Sequence, residues 1–192
     1  GLQPFNVVDY APLLRATLVN LDRWVTEGAE PPPSAVPRLT DATAVPAEST
    51  APIFATIPGV RFPDRLERPQ RLDFGPEWAR GVVTELPPKV GAPFVTFVSA
   101  VDGDGNETAG LRPVELLAPL ATFTGWNPRH PEQGAPGDLM SMMGSTLPFP
   151  RTRAERETTG DGRRSIEERY PSRAAYLARV RETAAALVAA RH

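Results

Sequence analysis

The sequence predicts an α+β chain: an amphipathic helix near the start, another at the far end, and a proline-rich stretch of short strands between them. Three observations carry this. Residues 9–27 set Leu13, Leu14, Leu18, Leu21, Trp24 and Val25 at the three-and-four spacing of one helical stripe. Twenty-three prolines are spread along 192 residues, and each removes a backbone donor and fixes φ, which denies long helices and central strands to most of the middle. Residues 171–190 then return to helix, with Tyr176, Leu177, Val180, Ala184, Leu187 and Val188 on one side and arginines on the other.

Taken in order, Asp9 is the expected N-cap of the first helix, and Pro12 is tolerable where first-turn N–H groups lack intrahelical acceptors. Gly28 ends the helix in a left-handed cap, and Pro31, Pro32 and Pro33 prevent a restart. Such a stripe needs a surface to bury it. Because Gly1 follows no initiator Met and helix begins within ten residues, the segment reads as the last helix of a larger domain. Next, 43–45, 53–56 and 82–84 are expected as short extended pieces. The clearest β signal is a hairpin, with 93–101 as one strand, Asp102 to Asn106 as the turn and 107–111 returning. Pro113 and Pro119 restrict 114–123 to an edge strand or an extended packed segment. Residues 125–150 read as loop. Thr152 with Glu155, and Ser165 with Glu168, have capping-box spacing and announce two short helices before the last one, which opens at Pro171 and Ser172. Phe54, Phe62, Phe74, Trp78, Phe94 and Phe97 interleave with the prolines, which argues against a disordered linker.

Composition closes several functional classes. A net charge of −2 with mixed signs offers no broad basic surface, so no nucleic acid is expected as a partner. The apolar runs are too short and too broken by Pro for a membrane span. Without a Cys there is neither disulfide nor thiolate chemistry.

The residues offer little catalytic chemistry of their own. A nucleophile elbow needs G-x-S-x-G at a strained strand-to-helix turn, and no serine here has Gly two residues away on both sides. Ser145 comes nearest and reads as an ordinary turn residue. His130 lies between Arg129 and Pro131 in a loop, with nothing to orient it as a general base, and His192 ends the chain. Asp102, Asp104 and Asn106 match the first half of a calcium loop, but the sixth and twelfth positions hold Glu107 and Pro113 where Gly and a bidentate Glu belong. A tight turn explains them better, and no catalytic or metal-binding residue is expected. Thr124, Trp126, Asn127 and Arg129 remain as substrate-pocket candidates, an aromatic beside amide and guanidinium groups on one loop. Against that stands a Trp that merely anchors its own loop.

Several stretches together resemble one family: DYAPLLRA at 9–16, LDRWV at 21–25, PPPS at 31–34, IPGVRFP at 57–63, VDGDGNE at 101–107, APLATFTGWN at 118–127, FPRTRAER at 149–156 and SIEERY at 165–170. In order along nearly the whole chain, they are similar to the C-terminal part of a bacterial group of α/β-hydrolase-domain proteins. The resemblance implies that 1–30 holds the closing helix of a hydrolase core. It makes 31–150 a proline-rich extension of short strands and 151–192 a set of C-terminal helices laid on the core. It implies ester or amide hydrolysis in the full-length protein, with nucleophile and catalytic His upstream and this chain inactive alone. The expected partners are then that upstream catalytic portion and a small-molecule ester or amide, and no cofactor is implied. The alternative is a non-catalytic, β-rich module binding a protein or a glycan. A calcium-dependent module is a third and weaker reading.

Overall fold

The first helix, α1 (Ala11–Glu27), forms where the stripe predicts it. The computed structural model describes residues 1–66 and 68–192. Gly28 closes α1 with φ 70°, a left-handed conformation that costs glycine no Cβ clash. Its N–H and that of Ala29 donate to the carbonyls of Trp24 and Arg23 at 3.1 and 3.3 Å, satisfying acceptors at the helix end. The start differs from expectation. Tyr10 holds the N-cap position without a side-chain bond, and Asp9 Oδ1 instead accepts from the Ala11 N–H at 2.9 Å.

The larger difference concerns the stripe. Leu14, Leu18 and Val25 are 55%, 65% and 77% exposed, whereas Asn20 is the buried residue of the helix. The Asn20 amide donates to the Arg191 carbonyl at 2.7 Å, so a polar contact ties α1 to the far end of the chain. Leu13 is half-buried beside Val114 and Leu187, while the side of the helix that carries Leu14, Leu18 and Val25 stays open to water.

Among the described residues, strands follow in three two-stranded antiparallel sheets. β1 (Ala44–Pro46) runs into a 3-10 turn over Ala47–Thr50 and then α2 (Ala51–Phe54). Residues 53–56 are therefore not extended. Pro52 lies in the first turn of α2, where its missing N–H is harmless, and the preceding 3-10 turn has already set the helical direction. β2 (Gln70–Asp73) pairs with β3 (Lys89–Pro93), a sheet the sequence did not announce. Residues 82–84 form no strand, because the N–H groups of Thr84 and Glu85 both turn back onto the Phe74 carbonyl, at 3.0 and 3.1 Å. β4 (Phe97–Ser99) pairs with β1, Val45 opposite Val98. The expected 93–111 hairpin is thus divided: Pro93 belongs to β3, β4 looks to β1, and the turn at 102–106 closes only a single bridge, Val101 to Glu107.

The segment expected as an edge strand or an extended packed segment also divides. Its first part is α3 (Val114–Leu117), and its last part with Thr124 is β5 (Ala121–Thr124), buried throughout. β5 pairs with β6 (Ser145–Pro148), a strand inside the stretch expected as loop, with Thr122 opposite Leu147. Residues 2–7 run along the other side of β6. The Thr146 N–H donates to the Pro4 carbonyl at 2.9 Å, and that of Asn6 to the Gly144 carbonyl at 2.9 Å.

Three helices end the chain. α4 (Arg153–Thr159) opens on Thr152, whose hydroxyl accepts from the Glu155 N–H, and α5 (Ile166–Arg169) opens on a complete capping box of Ser165 and Glu168. α6 (Arg173–Ala189) opens on Ser172. Its expected inner residues are half-buried except Val188, which is exposed, and its buried residue is Thr183, bonded back to the Arg179 and Val180 carbonyls. The core is small and gathers around β5 and β6, where Phe54, Ile57, Ala118, Ala121, Phe123, Leu147 and Phe149 are buried. The helices and small antiparallel sheets make the chain α+β. No helix of the described residues is long and apolar enough to cross a membrane.

Candidate functional site

Beside β5 lies a cavity of about 230 Å³ whose wall includes Phe54, Phe62, Phe123, Thr124, Trp126 and Glu107. α2 brings Phe54, the chain after it brings Phe62, and the turn out of β5 brings Trp126. Their rings form a closed triangle with centroids 5.8 Å apart for Phe54–Phe62, 5.1 Å for Phe54–Trp126 and 5.7 Å for Phe62–Trp126. Trp126 meets both phenylalanines edge-on at 75°, the geometry that puts positive ring edges against negative faces.

The opposite rim comes from the 102–106 turn. Asp102 Oδ1 accepts from the N–H groups of Asp104 and Asn106, at 2.9 and 3.0 Å, which folds the turn on itself. Gly105 has φ 81°, and a Cβ there would stand 3.0 Å from both Phe54 and Thr122, so the backbone approaches the aromatic triangle closely. Asn106 is buried and acts as a short piece of strand. Its amide donates to the Ala121 carbonyl at 3.0 Å, and its oxygen accepts from the Phe123 N–H at 2.9 Å. Asp104 forms a bidentate pair with Arg169, one arm at 2.7 Å. The acidic turn is therefore committed to structure, and among the described residues no group of three or more His, Cys, Asp or Glu is arranged to hold a metal ion.

The turn delivers Glu107 to the cavity. Its carboxylate has no ion pair or side-chain hydrogen bond among the described residues, and although the residue is exposed, partial burial of its carboxyl raises its pKa above the ordinary carboxylate value.

The four sequence candidates separate. Thr124 and Trp126 line the cavity. Asn127 does not: it is fully buried and clips other segments together, donating to the carbonyls of Gln3 and Gly144 at 2.9 and 3.2 Å and accepting from the Gln3 N–H at 3.1 Å. Arg129 points elsewhere as well, donating from Nη2 to the Gln133 carbonyl at 3.1 Å while its buried Nε has no partner among the described residues. Ser145 is not a turn residue. It sits fully buried in β6, its N–H bonded to Thr124 Oγ1 and its hydroxyl to the Trp126 carbonyl at 2.7 Å, so it fastens the Trp126 turn and is not displayed as a nucleophile. His130 Nδ1 accepts from the Glu132 N–H at 3.3 Å in a small 3-10 cap.

Sequence reasoning missed Phe54, Phe62 and Glu107. The aromatics were visible as packing residues, and Glu107 as a misfit in a calcium loop. No local signal placed the three around one cavity, because Glu107 and the Trp126 turn lie far along the sequence from Phe54 and Phe62.

A model of the family described as alpha/beta hydrolase domain matches residues 2–192. Neither a curated relative nor a solved structure matches the chain.

Proposed function

This chain belongs to the α/β hydrolase domain family, and from that membership we propose that it is the C-terminal portion of an ester- or amide-cleaving enzyme. The reaction would run through a serine acyl-enzyme stabilised by an oxyanion hole. The serine elbow and its His belong to a part of the protein outside these residues, since no serine here stands in a G-x-S-x-G setting. The chain supplies two things: α1, laid on the hydrolase sheet, and the cavity of Phe54, Phe62 and Trp126, facing a small-molecule substrate. In this arrangement 1–30 completes the core, while 31–150 and 151–192 extend over it.

The family match carries the class. The bare apolar face of α1 supports the arrangement, because a capped helix with Leu14, Leu18 and Val25 in water is one made to lie against another layer. Labelling the complete gene product with a fluorophosphonate, then mapping the labelled peptide, tests the reading. The label is expected on a serine outside residues 1–192, with p-nitrophenyl ester turnover in the complete protein and none in this chain alone. Turnover by this chain, abolished by changing one of its own serines, would sink the proposal.

A further inference from the structure

We propose that the cavity framed by Phe54, Phe62 and Trp126 receives a compact organic ammonium group, with Glu107 as its counter-charge. This names a substrate class for the cavity and rests on the reading that the cavity faces substrate.

The wall's chemistry is one-sided. Three hydroxyls line it, and each gives its proton to a backbone carbonyl: Thr50 to Ala47 at 2.8 Å, Ser99 to Ala100 at 3.3 Å and Thr124 to Trp126 at 2.5 Å. None is left to donate to an anion. No basic side chain lines the cavity among the described residues, and Glu107 is the one charged side chain that does. Among the described residues the wall offers a carboxylate with no ion pair or side-chain hydrogen bond, the indole of Trp126 with its single N–H donor, and a cluster of aromatic rings, of which Phe62 and Trp126 are partly exposed. Ring faces carry negative potential, and a cation near them is attracted more strongly as water is excluded. Glu107 is exposed on the rim of the cavity, where its carboxylate meets an incoming cation at the mouth while the rings contact the cation's apolar surface. Size agrees as well: a cavity of about 150 Å³ already takes benzene, so about 230 Å³ holds a trimethylammonium group with a short tail.

Three arginines elsewhere in the fold are already paired and do not fill this role. Arg163 and Arg169 are spent on Asp161 and Asp104, and Arg68 pairs with Glu48.

Titration calorimetry on the intact protein tests the inference with choline and its uncharged isostere, 3,3-dimethylbutan-1-ol. Choline is expected to bind about tenfold tighter. In Glu107→Gln, which keeps the shape and removes the charge, that preference is expected to fall to about twofold or less, with the isostere's affinity unchanged. Equal affinities in the parent protein, or a preference that survives Glu107→Gln, overturns the inference. The two proposals fail separately. A protein that binds choline through Glu107 yet carries no reactive serine keeps the ammonium site and loses the hydrolase reading. One that cleaves neutral esters and ignores choline does the reverse.

Discussion

Arg163 and Asp161 form a closed ion pair inside the protein, with Nε to Oδ1 at 3.0 Å and Nη2 to Oδ2 at 2.7 Å, and their side chains 3% and 5% exposed. The remaining guanidinium protons go to Thr122 Oγ1 at 2.9 Å and to the carbonyls of Leu147 and Pro148 at 2.8 and 3.1 Å. All five donors of the arginine are therefore used. Thr122 passes its own proton to the Asp104 carbonyl, and Arg169 holds Asp104 while its guanidinium carbon stands 4.1 Å from the centroid of the Phe149 ring. One chain of polar contacts thus joins the acidic turn, the β5–β6 sheet and the segment leading into α5.

The first prediction follows from that closure. Burial works against the Asp161 charge, yet its bonds to Arg163 outweigh burial and hold the carboxyl below its ordinary pKa. Arg163→Met removes the partner and leaves a buried carboxylate, which costs about 3–5 kcal/mol. Adding Asp161→Leu recovers part of that loss, and the Leu147 and Pro148 carbonyls left unpaired account for a residue of about 1–3 kcal/mol each. Urea melts of the two single variants and the double variant check this. Strict additivity would show that the pair is not coupled.

Asn106 gives the second. Its side chain pairs with the free edge of β5 as a neighbouring strand would, using one donor and one acceptor. Asn106→Asp keeps the shape, loses the donor, and sets a carboxylate against the Ala121 carbonyl. The expected cost is about 2–3 kcal/mol, read as a lowered Tm. Excess Ca²⁺ is expected to leave the parent Tm unchanged, because Asp104 and Asn106 already spend their oxygens on Arg169 and Phe123. A calcium-dependent rise in Tm would reopen the calcium reading.

What the sequence disclosed and what it hid divide along the range of the interactions. The Gly28 cap and the helix starts at Thr152, Ser165 and Ser172 depend on residues three or four apart, and each formed as expected. The β5–β6 pairing depends on residues more than twenty apart across a loop of Gly and Pro, and Ala121 to Thr124 is buried on both faces, so no alternation marks it. Arg163 lies in a run of Gly, Asp and Arg that reads as surface, and only its partners on β5 and β6 make it interior. The site was half legible for the same reason. Trp126 stood out by type, whereas its companions Phe54, Phe62 and Glu107 became neighbours only through the fold.

A third prediction concerns acid. The N–H and hydroxyl of Ser165 both donate to Glu168 Oε2 at 2.8 Å, and Arg156 donates to the same carboxylate at 3.0 and 3.2 Å. The Ser165 bonds, with Arg156 after them, lower the Glu168 pKa from 4.5 to about 2. Since the folded pKa is the lower one, the carboxylate's contribution is complete above about 4.5 and is lost as pH falls toward about 2. Ser165→Ala removes the α5 cap at every pH as well as the hydroxyl's bond to Glu168, so it is expected to lower Tm at both values and by more at pH 7 than at pH 2. A Tm loss of equal size at both values would locate the effect in the helix cap alone.

The last prediction addresses α1. On this chain Leu18 and Val25 face water, so Leu18→Lys and Val25→Lys are expected to change stability by less than about 0.5 kcal/mol and to reduce self-association in size-exclusion chromatography, because a contiguous apolar face promotes it. In the complete protein, where the proposed hydrolase sheet lies on that face, the same changes bury an unpaired ammonium and are expected to cost at least about 2 kcal/mol. Asn20→Ala serves as the control: it removes the bond to the Arg191 carbonyl and is expected to cost about 1 kcal/mol in either setting. A lysine at 18 or 25 that is equally harmless in both settings means that no layer covers α1, and the proposed arrangement fails with it. A lysine that is damaging only in the complete protein shows that the apolar face of this helix is an internal surface.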